Sequence, residues 1–78
     1  MNEQQLKDTF GQVLRNLRKD KKLAQEKLAL ECELDRTYIS MLERGVRQPS
    51  LSTIFVLAEK LGKKPSEVVE AVEKLIDP

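Results

Sequence analysis

Residues 23–45 contain two segments of helical periodicity separated by a turn of three residues, a spacing that leaves few possible folds. The first segment spans about residues 25–32. The side chains that face inward across the two segments are Leu28, Ala29, Ile39 and Leu42. So short a turn makes the second helix cross the first steeply, and the small Ala29 allows the close approach. The sequence therefore predicts a helix-turn-helix unit over about residues 25–44.

The second of these helices presents a polar outer face at its N-terminal half. Asp35 is suited to cap the helix, because its carboxylate can accept the free N–H groups of Thr37 and Tyr38. The side chains left on the outer face are Arg36, Thr37, Ser40 and Met41. A helix presented in this way suits the major groove, so the pattern predicts that this helix reads DNA.

Three more helices are predicted around this unit, which makes the fold class all-α. Residues 3–19 have one apolar face, and Ser50 is a suitable N-cap for a fourth helix that ends at Gly62. The inner face predicted for that helix consists of Leu51, Ile54, Leu57, Ala58 and Leu61. Pro65 suits the first turn of a fifth helix. We expect a compact five-helix arrangement and a single domain over residues 1–78.

Histidine is absent from the sequence and cysteine occurs once, which limits the catalytic and metal sites that the chain could form. The chain has no histidine and one cysteine, which excludes an internal disulfide and argues against a zinc site or a histidine-dependent triad. Cys32 is expected to be inert and half-buried, with a redox-sensing or nucleophilic role as the alternative. We therefore expect no enzyme, no cofactor and no metal.

The sequence shows no signal for export or membrane insertion. Its first residues, Met-Asn-Glu-Gln-Gln, form neither a basic nor a hydrophobic leader segment. No apolar run approaches the roughly 20 residues of a membrane span. The expectation is a cytoplasmic protein without a membrane partner.

The positive charge is concentrated in the N-terminal half of the chain. The formal net charge is only +1, which by itself is weak support for nucleic-acid binding. Residues 51–78 balance four lysines against five acids, whereas residues 15–22 contain five basic residues and one acid. The positive field should therefore surround the helix-turn-helix unit.

The order of these residues resembles the large family of lambda- and Cro-type repressor domains, over nearly the whole chain. The resemblance includes Gln25 at the start of the first motif helix, Ala29 behind it and Leu-Glu-Arg-Gly at 42–45. The other matching positions are Leu34, Ile39, Pro-Ser-Leu at 49–51 and Leu-Ala-Glu-Lys-Leu-Gly at 57–62. This resemblance implies that the chain folds as a lambda-repressor-like domain.

Within that family, Asp-Arg-Thr-Tyr-Ile-Ser at 35–40 is most similar to the small controller proteins of restriction-modification systems. This similarity implies a stand-alone dimeric regulator with no second domain. One position departs from the family, which usually has glycine in the turn where this chain has Glu33. A side chain at a left-handed position costs on the order of 1 kcal/mol, so we expect the turn to form with some distortion.

Four side chains are candidates for contacts with bases. Arg36 ranks first, because its guanidinium can donate to guanine O6 and N7 in parallel; the alternative is a solvated surface arginine. Thr37 and Ser40 can offer hydroxyl groups, and Met41 can touch a thymine methyl or be a merely tolerated exposed residue.

Another four side chains are candidates for contacts with the DNA backbone. Gln25 can bring its amide and the N-terminus of its helix to a phosphate. Arg44 and Arg47 bracket the loop after the second motif helix, and Arg47 can also reach a base edge. For Tyr38 the resemblance suggests an approach to the backbone, and packing at the rim is an equal alternative.

Glu43 needs a neutralising partner, because a free carboxylate near the DNA would repel phosphate. The resemblance implies that Arg18 of the first helix pairs with Glu43 as a structural ion pair. The alternative assigns Arg18 to the basic face.

The C-terminal region carries more apolar residues than a monomer core needs. The side chains predicted for a dimer interface, within about residues 51–76, are Phe55, Val56, Val68, Val69, Val72, Leu75 and Ile76. A two-fold dimer would bury them and set two reading helices ~34 Å apart, one turn of DNA. The alternative is a fuller monomer core.

Together these features predict a sequence-specific DNA-binding transcriptional regulator that acts as a homodimer on a roughly palindromic operator, in particular a restriction-modification controller. The expected partners are double-stranded DNA and a second copy, with RNA polymerase as a further candidate. The rival hypothesis is an antitoxin-like module whose C-terminal helices bind a different protein.

Overall fold

The computed structural model describes residues 1–76, and these residues form five helices without a strand. In chain order the helices are α1 (Glu3–Asp20), α2 (Gln25–Cys32), α3 (Arg36–Glu43), α4 (Leu51–Lys60) and α5 (Pro65–Ile76). The all-α prediction is confirmed, although α4 ends at Lys60 rather than at Gly62. Over this range, no helix has the length and apolar character needed to cross a membrane.

Side chains near the ends of α3 and α4 satisfy the first N–H groups of each helix, as local sequence rules require. Asp35 accepts a hydrogen bond from the Thr37 N–H at 2.9 Å, and Ser50 accepts one from the Thr53 N–H at 3.1 Å. The Tyr38 N–H, which we expected at the Asp35 carboxylate, instead donates to the Asp35 main-chain carbonyl at 3.0 Å.

The turn between α2 and α3 forms at Glu33 as expected, but the distortion expected there is absent, because its dihedral angles are close to the ideal left-handed values. Glu33 takes a left-handed backbone conformation, with φ 55° and ψ 40°. Leu34 then donates its N–H to the carbonyl of Ala29 at 2.9 Å, which closes the C-terminus of α2. A non-glycine residue therefore occupies the position where the resembling family usually has glycine.

The core lies where α1 packs on α3 and α5, while α2 packs on α3 and α4. Its most deeply buried large side chains are Leu14, Leu28, Ile39, Leu42 and Leu57. Leu51 was predicted to belong to the inner face of α4, and this prediction is wrong because its side chain is 71% exposed. Leu51 shares a face with the buried Ala58, but it lies in the first turn of α4, where its side chain is left uncovered.

The fifth helix contributes directly to this core. Val68 is 3% exposed and Val72 is 7% exposed. Their assignment to a dimer interface is therefore corrected, because side chains that pack against α1 and α4 within one subunit have almost no surface left to bury.

Candidate nucleic-acid interface

The inner face of α3 is packed against the rest of the fold, so its outer face is held in one orientation. Ile39 and Leu42 are completely buried. On the α1 side, a Cβ placed on Gly11 would lie 2.5 Å from the carbonyl oxygen of Leu42, so only glycine allows α1 to approach α3 this closely. Gly11 was not singled out from the sequence, although a glycine inside a helical pattern is a recognised signal of close backbone approach.

The four side chains predicted to contact bases lie along one face of α3. Arg36 and Thr37 are exposed, while Ser40 and Met41 are partly buried. Ser40 accepts a hydrogen bond from Arg44 Nε at 3.2 Å. Since the Ser40 oxygen accepts this bond, the hydroxyl proton of Ser40 remains free to be donated to an acceptor on a ligand.

Arg47 lies beside α3 through a contact with Tyr38. Its guanidinium carbon is 5.8 Å from the centre of the Tyr38 ring, within the range of a cation–π interaction. Tyr38 is partly buried and packs against the core. Of the two alternatives for Tyr38, the structure thus contains rim packing, and the stacked arginine covers the ring.

The N-terminus of α2 has the properties of an anion site. Its N-cap, Ala24, has no side chain that could accept a hydrogen bond from the first N–H groups of the helix. These groups and the helix dipole favour a negative group such as phosphate. The Gln25 amide, which we expected at a phosphate, donates to Glu43 Oε1 at 3.0 Å. An amide has two N–H groups, so one remains available for a phosphate.

Arg18 and Glu43 form the ion pair that was expected between α1 and α3. Arg18 Nε donates to Glu43 Oε2 at 2.6 Å, and Arg18 Nη2 donates to Glu43 Oε1 at 3.0 Å. The Glu43 side chain is only 4% exposed. The hydrogen bond to Glu43 raises the pKa of Arg18 above its ordinary value, which outweighs the opposite effect of burial.

Arg18 also makes a contact that the sequence analysis missed. Its Nη1 donates to the main-chain carbonyl of Leu23 at 2.7 Å, immediately before α2. One guanidinium therefore joins α1, the start of α2 and the end of α3, and Glu43 is neutralised at the edge of the predicted DNA face.

The arginines around this face are free to pair with an external anion. Among the described residues, salt bridges involve Arg18, Lys27, Lys60 and Lys74, and none of Arg36, Arg44 and Arg47 takes part in one. All three arginines are exposed. The surface formed by α3 and the following loop is therefore positively charged.

Two residues of α1 that were not singled out from the sequence also reach this region. Gln4 donates to Asp8 Oδ1 at 2.9 Å and to the carbonyl oxygen of Gly45 at 3.0 Å. No local pattern could have indicated the second bond, because it joins residues 41 positions apart.

Away from this face, α4 and α5 leave apolar side chains exposed. Phe55 is 55% exposed, Val56 36%, Val69 51% and Leu75 54%, whereas Ile76 is partly buried against the core. All five side chains belong to the interface predicted from the sequence, and we call the four exposed ones the exposed apolar patch of α4 and α5.

Cys32 is buried, at 7% exposure. Burial raises the pKa of its thiol, so the reactive thiolate is disfavoured at neutral pH. Within residues 1–76, no three residues of the metal-binding types His, Cys, Asp and Glu lie together.

Two helices joined by a turn of three residues, with exposed arginines on the second helix and just after it, define a DNA-binding module of the helix-turn-helix class. The chain belongs to the helix-turn-helix family, whose pattern matches residues 14–68.

Among known proteins it is similar to several restriction-modification controllers. The control protein C.BamHI of Bacillus amyloliquefaciens is 47% identical over 62 residues, which cover 78% of this chain and 76% of that protein. The controller protein C.AhdI of Aeromonas hydrophila has a similar solved structure, with a TM-score of 0.76, 48% identity, and coverage of 78% of this chain and 92% of C.AhdI.

A third relative has been solved with DNA. The controller protein C.Esp1396I, as a tetramer in complex with its natural 35 base-pair operator, matches with a TM-score of 0.82 and 31% identity. The match covers 91% of this chain and 93% of that one.

Proposed function

We propose that this protein is a sequence-specific DNA-binding transcriptional regulator that acts as a homodimer on a roughly palindromic operator. The observation that carries the proposal is the geometry of α3. Its inner face is completely buried, while its outer face presents Arg36 and Thr37 beside arginines that have no acidic partner among the described residues. A firmly packed helix with a polar outer face and arginines on and beside it suits entry into a major groove.

In this proposal the two groups of side chains have different tasks. Arg36, Thr37, Ser40 and Met41 face the bases and provide discrimination. Because Ser40 accepts from Arg44, its hydroxyl acts as a donor, and we assign it to an acceptor such as N7 of a purine or O4 of thymine.

The second group provides affinity by contacting phosphates. Arg44 and Arg47 would meet the DNA backbone at the C-terminal end of α3, and Tyr38 would meet it from the first turn of that helix. Gln25 would meet it at the uncapped start of α2. Such contacts position the protein without carrying sequence information directly.

We assign the exposed apolar patch of α4 and α5 to a second copy of this chain. A two-fold arrangement would place two α3 helices in successive major grooves. The patch would also suit a different protein, as in the antitoxin-like rival. Similarity to C.Esp1396I, which was solved as a tetramer on its operator, favours self-association.

The particular form of regulator that we propose is a restriction-modification controller. The support is the similarity to the control protein C.BamHI and to C.AhdI. We propose RNA polymerase as a further partner, and the support for it is the proposed regulatory function alone. Transcription in vitro from a promoter beside the selected site, with and without this protein, tests that part of the proposal.

Selection of bound duplexes from a random DNA pool tests the main proposal. The expected result is a consensus whose two halves are related by two-fold symmetry and repeat about one helical turn apart. Arg36→Lys serves as the matched control, because it keeps the charge but removes the paired donors. Recovery of sequences without a common motif would overturn the proposal, and recovery of a single half-site would overturn the dimer.

A further inference from the structure

We propose that Gln4 is a positioning residue for DNA binding, because from the first turn of α1 it holds the loop that orients Arg47. The DNA part of this inference rests on the proposed function. The structural part concerns only contacts within the subunit.

The Gln4 side chain is committed to two acceptors at once. Its Nε2 donates to Asp8 Oδ1 at 2.9 Å and to the carbonyl oxygen of Gly45 at 3.0 Å. An amide nitrogen carries two N–H groups, so these bonds use both of them. Asp8 thereby fixes the direction in which the amide points, and Gly45 receives the other N–H.

The loop is held from its opposite side by α3. The N–H of Val46 donates to the carbonyl of Met41 at 2.9 Å. The carbonyl of Gly45 and the N–H of Val46 belong to the same planar peptide group. That peptide group is therefore held at its oxygen by α1 and at its nitrogen by α3, so the direction of the chain toward Arg47 is set.

There is also no free space between α1 and the loop. Gly45 is buried and has φ +74°, and a Cβ on it would overlap Asp8 Oδ1. Two residues later, the Arg47 guanidinium lies 5.8 Å from the centre of the Tyr38 ring. A continuous series of contacts thus leads from Gln4 through Gly45 and Arg47 to the outer side of α3.

The chain contains a built-in reporter for this series of contacts. Tyr38 is its only tyrosine, and there is no tryptophan. Intrinsic tyrosine fluorescence therefore reports the surroundings of Tyr38 alone. If Gln4 holds the loop, releasing it should uncover the Tyr38 ring to the same extent as removing the arginine side chain does.

The first measurement is acrylamide quenching of Tyr38 in Gln4→Glu, Gln5→Glu and Arg47→Ala. Gln5→Glu is the matched control, since it makes the same charge change on the same turn and the Gln5 side chain has no hydrogen bond within residues 1–76. We expect the quenching constant to rise in Gln4→Glu to the value of Arg47→Ala and to stay at the wild-type value in Gln5→Glu. A wild-type value in Gln4→Glu overturns the proposal.

The second measurement is a double-mutant cycle on binding to the duplex that the wild-type protein selects from a random pool. Gln4→Glu should weaken binding roughly two- to thirtyfold relative to Gln5→Glu, the range for residues that influence a site without touching the ligand. In the Arg47→Ala background, Gln4→Glu should have no further effect. Fully additive losses would show that Gln4 acts independently of Arg47 and would overturn the proposal.

The two measurements separate this inference from the proposed function. If the pool yields no consensus, the proposed function fails, and the quenching experiment still decides whether Gln4 positions Arg47. If a consensus appears and the quenching of Gln4→Glu matches wild type, the inference fails while the proposed function stands.

Discussion

At the residue scale, Arg18 shows how one side chain can assemble a binding surface without touching the ligand. Its guanidinium neutralises Glu43 and donates a hydrogen bond to the carbonyl of Leu23. Two polar groups that would be costly to bury without partners are therefore both hydrogen-bonded. Among the described residues, no buried side-chain nitrogen or oxygen lacks a hydrogen-bond partner. The pair therefore orients α2 and α3 and keeps a negative charge away from phosphate.

We predict that Arg18 and Glu43 are coupled in stability. Arg18→Met or Glu43→Gln alone should destabilise the fold by roughly 3 to 5 kcal/mol, the cost of leaving one partner of a buried pair. The double variant should lose less than the sum, with a coupling of at least about 0.5 kcal/mol in thermal unfolding. The exposed pair Lys27–Glu31, at 3.9 Å, is the control and should couple more weakly. Strict additivity for Arg18 and Glu43 would refute the pair.

A second prediction separates discrimination from affinity on α3. Arg36→Ala should cost about 1 to 3 kcal/mol on the selected duplex and relax the preference at one base pair, because two parallel donors are lost. Arg44→Ala should instead weaken all sequences similarly and lower the salt slope by roughly one unit, because one phosphate contact is lost.

Titrations of both variants at several salt concentrations, on matched and mismatched duplexes, provide the measurement. Arg36→Lys keeps the charge and should not restore the base preference. An equal loss on every sequence for Arg36→Ala would show that Arg36 does not read a base.

A third prediction concerns pH and Cys32. Burial raises the pKa of this thiol above its ordinary value of 9.0, so the folded state holds the proton more tightly than the unfolded state does. Stability should therefore fall as the pH rises through 9, until the folded thiol also titrates. Denaturant unfolding of wild type and Cys32→Ala between pH 7 and pH 10 checks this prediction. The lower limit is about two units below the ordinary pKa of the thiol, and the upper limit is about one unit above it. Parallel pH profiles for the two proteins would contradict it.

At the scale of elements, the loop after α3 depends on a glycine for two separate reasons. Gly45 needs a positive φ, and it also needs the space that Asp8 of α1 occupies. Gly62 after α4 shares only the first requirement. It has φ +72°, and the nearest atom to a Cβ placed there would be Lys21 Nζ at 3.6 Å, an ordinary contact with a flexible side chain.

The two glycines therefore form a matched pair of substitutions. Gly62→Ala should cost about 1 kcal/mol, the strain of an alanine in the left-handed region. Gly45→Ala should cost more, because the Asp8 carboxylate must also move away from its hydrogen bond with Gln4, and it should weaken DNA binding as well as stability. Thermal unfolding and duplex titration of both variants measure the difference. Equal effects on both properties would show that the contact with α1 is unimportant.

At the scale of the whole molecule, adjacent residues of α5 face different environments. Val68 is 3% exposed and Val69 is 51% exposed. The first belongs to the subunit core, and the second belongs to the apolar patch that we assign to a second copy. Assembly and folding can therefore be separated by changes at neighbouring positions.

We predict that Val69→Glu and Phe55→Glu give folded monomers at micromolar concentrations where the wild type is a dimer. Val68→Glu should instead unfold the subunit, because an unpaired charge would be buried in the core. Sedimentation gives the assembly state, and circular dichroism gives the helical content. A monomeric wild type at high concentration would contradict the dimer.

Features that depend on near neighbours along the chain could be predicted from the amino-acid sequence alone. The bounds of α2 and α3 and the cap of Asp35 follow from periodicity and capping over a few residues, whereas the left-handed position at Glu33 was expected from the family resemblance. The pairing of Arg18 with Glu43 followed from a family resemblance, which carries tertiary information that these local patterns lack.

Which apolar positions are covered, and which distant polar groups meet, depends on how the helices pack together. Leu51 and Ala58 lie on one face of α4, yet the first is exposed and the second buried, because burial depends on which positions of a face the other helices cover. The bond from Gln4 to Gly45 likewise exists because α1 lies against the loop after α3. No local pattern encodes that approach, since it is the result of packing all the helices around one core.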